Sequence, residues 1–172
     1  MTRLDRNSLQ IAWIESPVGL LRAGASDTAL HLLEFVGELP ADSKRAQVQP
    51  GAHTPLQPLL EQTRRELAEY FAGTRRRFEV PLSFPGTPFQ ERVWTALCNI
   101  GYGERVSYLE QSRMVGDEKA IRAVAQANGQ NPIAIMVPCH RVINSDGKLG
   151  GYGGGLLRKQ FLLDLERGDR LL

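Results

Sequence analysis

Residues 87–128 read TPFQERVWTALCNIGYGERVSYLEQSRMVGDEKAIRAVAQAN, and this stretch decides the fold of the second half of the chain. Its first four residues, Thr87 to Gln90, form a capping box with proline at the first helical position, because the hydroxyl and amide side chains can satisfy free backbone N–H groups. Apolar residues at helical spacing then predict a buried stripe: Phe89, Val93, Ala96, Leu97 and Ile100. We expect Cys98, which has no polar neighbours in this helix, to pack in the core.

Two further short helices, separated by a tight turn, are predicted over residues 107–127. Ser107 to Glu110 form a second capping box, Gly116 breaks the helix, and Asp117 can cap the next one. The inward-facing residues are predicted to be Ala120, Ile121, Val124 and Ala127, and the outward-facing residues Lys119, Arg122, Ala125 and Gln126. Such a helix-turn-helix can lie in a DNA groove, but purely structural helical hairpins show the same pattern. The pattern alone leaves both readings open.

Residues 131–144, NPIAIMVPCHRVIN, place a cysteine and a histidine side by side at the end of an apolar run. The run, residues 133–137, predicts an extended segment that delivers Cys139 and His140. A neighbouring imidazole lowers the pKa of a thiol and apolar burial raises it, so the reactivity of this thiol stays open. In an extended segment adjacent side chains point to opposite faces, so His140 would need a water or a turn to reach the sulfur. A cysteine hydrolase is one alternative for the pair.

Upstream, short segments of alternating polarity predict a small antiparallel sheet with short connections. The segments are residues 9–14, 20–25 and 30–36, followed by a predicted loop over 37–54 and a helix from Leu56 to Phe71 that ends at Gly73. Proline and glycine at residues 83–86 then interrupt the pattern. We therefore expect an N-terminal α/β domain over residues 1–85 and a second domain over 86–172.

Composition excludes several classes of protein. The 172 residues carry a net charge of +2, which is too weak for a protein that binds nucleic acid mainly by charge. No apolar run reaches the roughly 20 residues of a membrane span, and the N-terminus lacks a secretory signal, so we expect a cytoplasmic protein with free thiols. The candidate zinc ligands are scattered without ligand spacing: Cys98, Cys139, His31, His53 and His140. No metal and no cofactor are expected.

The C-terminal residues predict a glycine-rich loop followed by a helix. Glycines surround Tyr152 between residues 147 and 155, where backbone could approach a flat ligand, although a merely flexible loop has the same composition. A last helix is predicted from about Leu156 to Arg167. Its Glu166 could orient an imidazole, although a solvated carboxylate is the commoner fate.

The segment from Pro138 to Val142, PCHRV, resembles the active-site signature of the O6-alkylguanine-DNA alkyltransferases. Similarity to this family runs through the second half of the chain in order: Pro88 to Gln90, Val93-Trp94, Val106 to Tyr108, Arg122 to Val124, Asn131-Pro132, and Gly151-Tyr152 to Glu166. The first half is similar more loosely, at residues 16–19 and 70–73. Ala125 stands where the family often has glycine, and Gly101 where it often has proline. The cysteine that some relatives pair with a histidine for zinc is absent near His31.

The resemblance implies an α+β fold in two domains. The N-terminal one would be a small antiparallel sheet with a helix, ribonuclease H-like, and the C-terminal one a helical, winged helix-turn-helix-like domain with an active-site loop. The implied partner is double-stranded DNA that contains O6-alkylguanine, with O4-alkylthymine as a second candidate lesion. The protein would act without a cofactor or membrane, as a monomer whose cooperativity on DNA is open. It would flip the damaged base and transfer the alkyl group irreversibly, once per molecule.

By the same resemblance, five residues carry the chemistry. Cys139 would attack the alkyl carbon, and His140, held by Glu166, would take the thiol proton through a bound water. Tyr108 would protonate the guanine O6 as it leaves, and Asn131 would brace the turn around the cysteine.

The family also implies a DNA surface and a base pocket. The second helix would dock in the minor groove, with Arg122 filling the gap left by the flipped base and Tyr108 crowding the adjacent phosphate. The other implied DNA contacts are Lys119, Ala123, Gln126 and Ala127. Backbone carbonyls of Cys139 and Val142 would accept from the guanine amine, and the pocket would be lined or supported by Tyr152, Gly154 and Lys159.

Overall fold

The computed structural model describes residues 9–37 and 56–169. The chain folds into two compact units, and the boundary between them falls between Pro85 and Gly86. None of the helices in the described ranges is long and apolar enough to cross a bilayer.

The first unit is built on an antiparallel sheet in the order β1-β2-β3. The strands are β1 (Gln10–Ile14), β2 (Leu21–Ala25) and β3 (Leu30–Phe35). The predicted strands and their meander are therefore confirmed to within about one residue at each end.

Helix α1 (Pro58–Phe71) completes the core of this unit, beginning two residues later than predicted. It buries Leu60, Leu67 and Tyr70. Gly73, at φ +74°, takes the left-handed conformation expected of a helix stop. Beyond residue 37, the predicted 37–54 loop lies outside the described residues, and so does His53.

Helix α2 (Pro88–Cys98) opens the second unit with both hydrogen bonds of the predicted capping box. The predicted stripe is buried except for Phe89, which is half-buried. The prediction that Cys98 packs in the core is wrong: it is the last helical residue and its side chain is exposed. The indole Nε1 of Trp94 donates to the Ala127 carbonyl at 2.9 Å and so fixes α2 against the helix that carries Ala127.

The helix-turn-helix consists of α3 (Tyr108–Val115) and α4 (Ile121–Gly129). The Ser107 capping box and a left-handed Gly116 at φ +90° are present as predicted. Asp117 does not cap α4, because its Oδ1 accepts from the Lys119 amide at 3.0 Å inside the turn and the helix starts only at Ile121. The side chain of Ile121, predicted to face inward, is 38% exposed.

Two short parallel strands, β4 (Val106–Ser107) and β5 (Val142–Ile143), join the start of α3 to the segment after the cysteine. The predicted extended run over residues 133–137 is wrong, since this segment forms consecutive turns. Within it Ile135 has φ +71°, which is rare for a β-branched residue, and its side chain is fully buried. Helix α5 (Leu156–Arg167) closes the unit at the predicted ends.

Candidate active site

Cys139 begins a 3-10 turn, Cys139–Arg141, and is 8% exposed. Asn131 contacts the segment on both sides of Pro138. Its Nδ2 donates to the Val137 carbonyl at 2.7 Å and lies 3.2 Å from the Cys139 Sγ, while its Oδ1 accepts from the Ile133 amide at 3.0 Å. The sulfur is therefore held at a fixed place on an otherwise irregular segment.

The Cys139 thiol is protonated at neutral pH. Burial raises its pKa, while the hydrogen bond from Asn131 and the positive charge of Lys159 lower it and oppose that effect. Because the thiolate is the nucleophilic form, this cysteine needs a base that removes its proton during attack.

His140 follows directly in the turn, next to the cysteine. Its Nε2 is 2.8 Å from the Glu166 Oε1, and its buried Nδ1 has no hydrogen-bond partner in the described part of the chain. Burial, together with the positive charges of Arg141 and Lys159, lowers the pKa of His140 although Glu166 raises it, so the neutral imidazole is favoured at pH 7. A neutral ring that donates from Nε2 to a carboxylate keeps a lone pair on Nδ1, which can accept a proton.

Arg141 is also a member of this cluster, and its contact with Glu166 was not predicted. Its Nε and Nη2 each donate to Glu166 at 2.9 Å, and its Nη1 donates to the Ile100 carbonyl at 2.5 Å. The Gly103 amide adds a bond to the Glu166 Oε2 at 3.1 Å. Hydrogen bonds from His140 and Arg141 hold the pKa of the Glu166 carboxyl well below its usual range despite burial. The only sequence signal for Arg141 is its position directly after His140, and that position does not reveal a partner 25 residues away.

A cavity of about 450 Å³ opens beside the cysteine. Four predicted site residues line it: Tyr108, Arg122, Cys139 and Tyr152. Seven of its lining residues were not predicted as pocket or DNA contacts: Ile121, Ala125, Asn128, Gly129, Asn144, Gly151 and Gly153. Tyr108 is half-buried, and burial together with the nearby Cys139 raises the pKa of its phenol, which therefore stays protonated and able to donate.

Three predicted pocket residues are not among those that line the cavity: Val142, Gly154 and Lys159. Lys159 is fully buried behind it, where its ammonium donates to the carbonyls of Val142 at 2.6 Å, Gly151 at 3.1 Å, and Leu149. The Val142 carbonyl therefore already accepts from the Lys159 ammonium. The Gly154 carbonyl accepts from the Arg158 Nη1 at 3.2 Å. Lys159 supports the loop over the cavity rather than lining it, and burial lowers its pKa to about 8.

The α3–α4 surface presents most of the predicted DNA contacts. Lys119, Arg122, Ala123 and Gln126 are all exposed. Ala127 is the exception: its side chain is only 3% exposed, and its carbonyl accepts from Trp94, so its side chain faces the core rather than the outer surface. The described residues contain no cluster of three or more side chains able to hold a metal ion.

A helix-turn-helix next to a cavity with a braced thiol defines a class of DNA-binding proteins with a reactive cysteine. Family models match both units, the 6-O-methylguanine DNA methyltransferase ribonuclease-like domain over residues 10–84 and the DNA binding domain of the same family over residues 88–168. The chain belongs to the 6-O-methylguanine DNA methyltransferase family.

Similar proteins agree with this assignment. The chain is 47% identical to a methylated-DNA--protein-cysteine methyltransferase of Mycolicibacterium paratuberculosis, covering 90% of each chain, and 42% identical to one of Methanosarcina barkeri, covering 91% of this chain and 96% of the other. Its structure is similar to that of Mycobacterium tuberculosis OGT in complex with DNA, with a TM-score of 0.77, 43% identity and 91% of each chain covered. The predicted α+β fold is confirmed.

Proposed function

We propose that this chain repairs alkylated DNA by moving the alkyl group from O6 of guanine to the Sγ of Cys139, once per molecule. The observation that carries the proposal is the position of that sulfur: braced by Asn131, it borders a cavity that the exposed Arg122 of α4 also borders. A base that leaves the duplex next to this helix enters the cavity and meets the thiol.

The transfer is a displacement at a saturated carbon. As the sulfur attacks, the thiol proton passes through a bound water to the Nδ1 of His140, and Glu166 stabilises the imidazolium that forms. The S–C bond forms while the C–O6 bond breaks, and its electron pair goes to the guanine. The Tyr108 phenol gives the departing guanine its proton and recovers one from the solvent or the imidazolium. The products are a cysteine thioether and an intact guanine.

The product thioether explains why the reaction ends after one turnover. Hydrolysis would have to expel a thiolate from a saturated carbon, and the thioether carries no group that activates that carbon. Each molecule therefore repairs one lesion and is consumed.

The α4 surface suits a helix that lies close to DNA. Ala123 and Ala125 are small and exposed, so they let the backbone approach the duplex, and Arg122 at the cavity mouth fills the gap left by the flipped nucleotide. Both cysteines are free thiols, and the attacking one must stay reduced, so we place the protein in the cytoplasm.

A titration of repair against protein tests the proposal. A duplex with one O6-methylguanine is mixed with increasing amounts of protein, and repaired strand is counted after the reaction stops. Repair should plateau at one lesion per molecule and vanish in Cys139→Ser, while Cys98→Ser, an exposed residue at the end of α2, repairs as the wild type does. Repair beyond one equivalent, or repair by Cys139→Ser, would refute the mechanism.

A further inference from the structure

The wall of the cavity contains a buried pair of amides that the proposed chemistry does not use. Gln111 of α3 is fully buried, and Asn128 of α4 is 7% exposed. They exchange two hydrogen bonds: the Gln111 Nε2 donates to the Asn128 Oδ1 at 2.9 Å, and the Asn128 Nδ2 donates to the Gln111 Oε1 at 2.7 Å. Asn128 lines the same cavity as Cys139.

The pair holds Asn128 in a fixed plane and leaves part of its bonding capacity unused. An asparagine amide has two N–H donors and two acceptor lone pairs. Gln111 takes one of each, and no further side-chain hydrogen bond of Asn128 occurs within residues 9–37 and 56–169. One N–H of the Asn128 amide is therefore available to a ligand in the cavity.

A purely structural role does not require amides here. Two apolar side chains of the same size would join α3 to α4 about as well, because a hydrogen bond adds only about 1 kcal/mol net and a buried polar group that loses its partner costs more. An amide whose second N–H stays unpaired is better suited to a wall that meets a polar ligand. Asn128, which carries the available N–H, is among the described residues that line the cavity beside Cys139.

We propose that Asn128 donates this N–H to a ring nitrogen of the extruded base and that Gln111 is a positioning residue that holds the Asn128 amide in place. The inference rests on the proposed function, since it concerns the base that the cavity receives. Ring nitrogens are the acceptors that a flipped purine exposes at its edge, and a buried donor that loses its acceptor discriminates strongly against an analogue without it. Asn128 thus adds a side-chain donor that recognises a ring nitrogen of the base.

The test removes the donor and the acceptor separately. Transfer rates are measured with duplexes that contain O6-methylguanine or its 1-deaza, 3-deaza or 7-deaza analogue, each of which replaces one ring nitrogen with C–H. For each protein, the rate with an analogue is divided by its own rate with O6-methylguanine. For one of the three analogues, this relative rate should be roughly 5- to 10-fold lower in the wild type than in Asn128→Leu. If the wild type and the variant have the same relative rate for every analogue, the inference is overturned.

A double variant separates recognition from helix packing. Asn128→Leu alone leaves the Gln111 amide buried without a partner and is expected to destabilise the protein, whereas Asn128→Leu with Gln111→Leu removes both amides and restores stability. The inference predicts that the double variant regains stability but not the sensitivity to the deaza analogue. If the amides only join the helices, the double variant regains the wild-type rate as well.

Failure of this inference is distinguishable from failure of the proposed function. If the wild type does not methylate Cys139 at all, the proposed function is wrong. If it does so with no coupling between Asn128 and any ring nitrogen, only the inference is wrong.

Discussion

Replacing Arg141 with methionine tests the most heavily bonded part of the site. The Arg141 guanidinium is 8% exposed, and the substitution removes its two hydrogen bonds to Glu166 and its bond to the Ile100 carbonyl. The Glu166 carboxylate, which is 1% exposed, then keeps its hydrogen bonds with His140 and Gly103. Breaking a buried ion pair in this way costs about 3–5 kcal/mol of the free energy of unfolding. Loss of the positive charge also removes one cause of the low pKa of His140, so that pKa rises.

Urea unfolding of the wild type and of Arg141→Met is monitored by fluorescence, and the titration of His140 in each is monitored by NMR. Arg167→Met is the matched control, because Arg167 is 48% exposed and its ion pairs with Asp164 and Asp169 lie at the surface. Surface pairs contribute about 0–1 kcal/mol, so the control should unfold almost as the wild type does. A loss below about 1 kcal/mol in Arg141→Met, or equal losses in both variants, would refute the assigned role of this cluster.

The geometry makes three further predictions. Lys159→Met should slow alkyl transfer by about tenfold or more, because three carbonyls lose their donor. Lys148→Met is the control, because that side chain is 82% exposed, and it should leave the rate unchanged. Equal transfer rates for the two variants in kinetic assays would contradict the prediction. The pKa of Glu166 is lowered, so its contribution to stability is present above its ordinary pKa of 4.5 and is lost as the pH falls below that value. In urea unfolding, the stability of the wild type should therefore fall more steeply with decreasing pH than that of Glu166→Gln, and parallel curves of stability against pH would contradict this prediction. Arg122→Ala should slow repair of the duplex lesion more than reaction with free O6-alkylguanine base, and equal losses on both substrates would exclude a role in base extrusion.

Features set by neighbouring residues could be predicted from the sequence. The capping boxes at Thr87 and Ser107 form as expected because each depends on side chains three residues apart. The stops at Gly73 and Gly116 depend on the freedom of glycine to adopt positive φ, which is equally local.

Features set by contacts that no periodic pattern or capping motif encodes could not be predicted. The apolar run before the cysteine has the composition of a strand, but Asn131 bonds the Val137 carbonyl and folds the run into turns. The resemblance implied that Lys159 lines or supports the pocket, but nothing in the sequence indicated that its ammonium donates to three backbone carbonyls. Ile121 fits an inward position by helical spacing, but α4 starts only at this residue, and its side chain borders the cavity.

The central claim is that one sulfur atom keeps the alkyl group, and the most direct measurement is the mass of the peptide that contains Cys139 after exposure to an O6-methylguanine duplex. The account predicts that this peptide gains one methyl group in place of one hydrogen, with the fragment ions placing it on Cys139, while the peptide with Cys98 keeps its mass. A repaired duplex with an unmodified Cys139 peptide, or a methyl group found on any other residue, would contradict it.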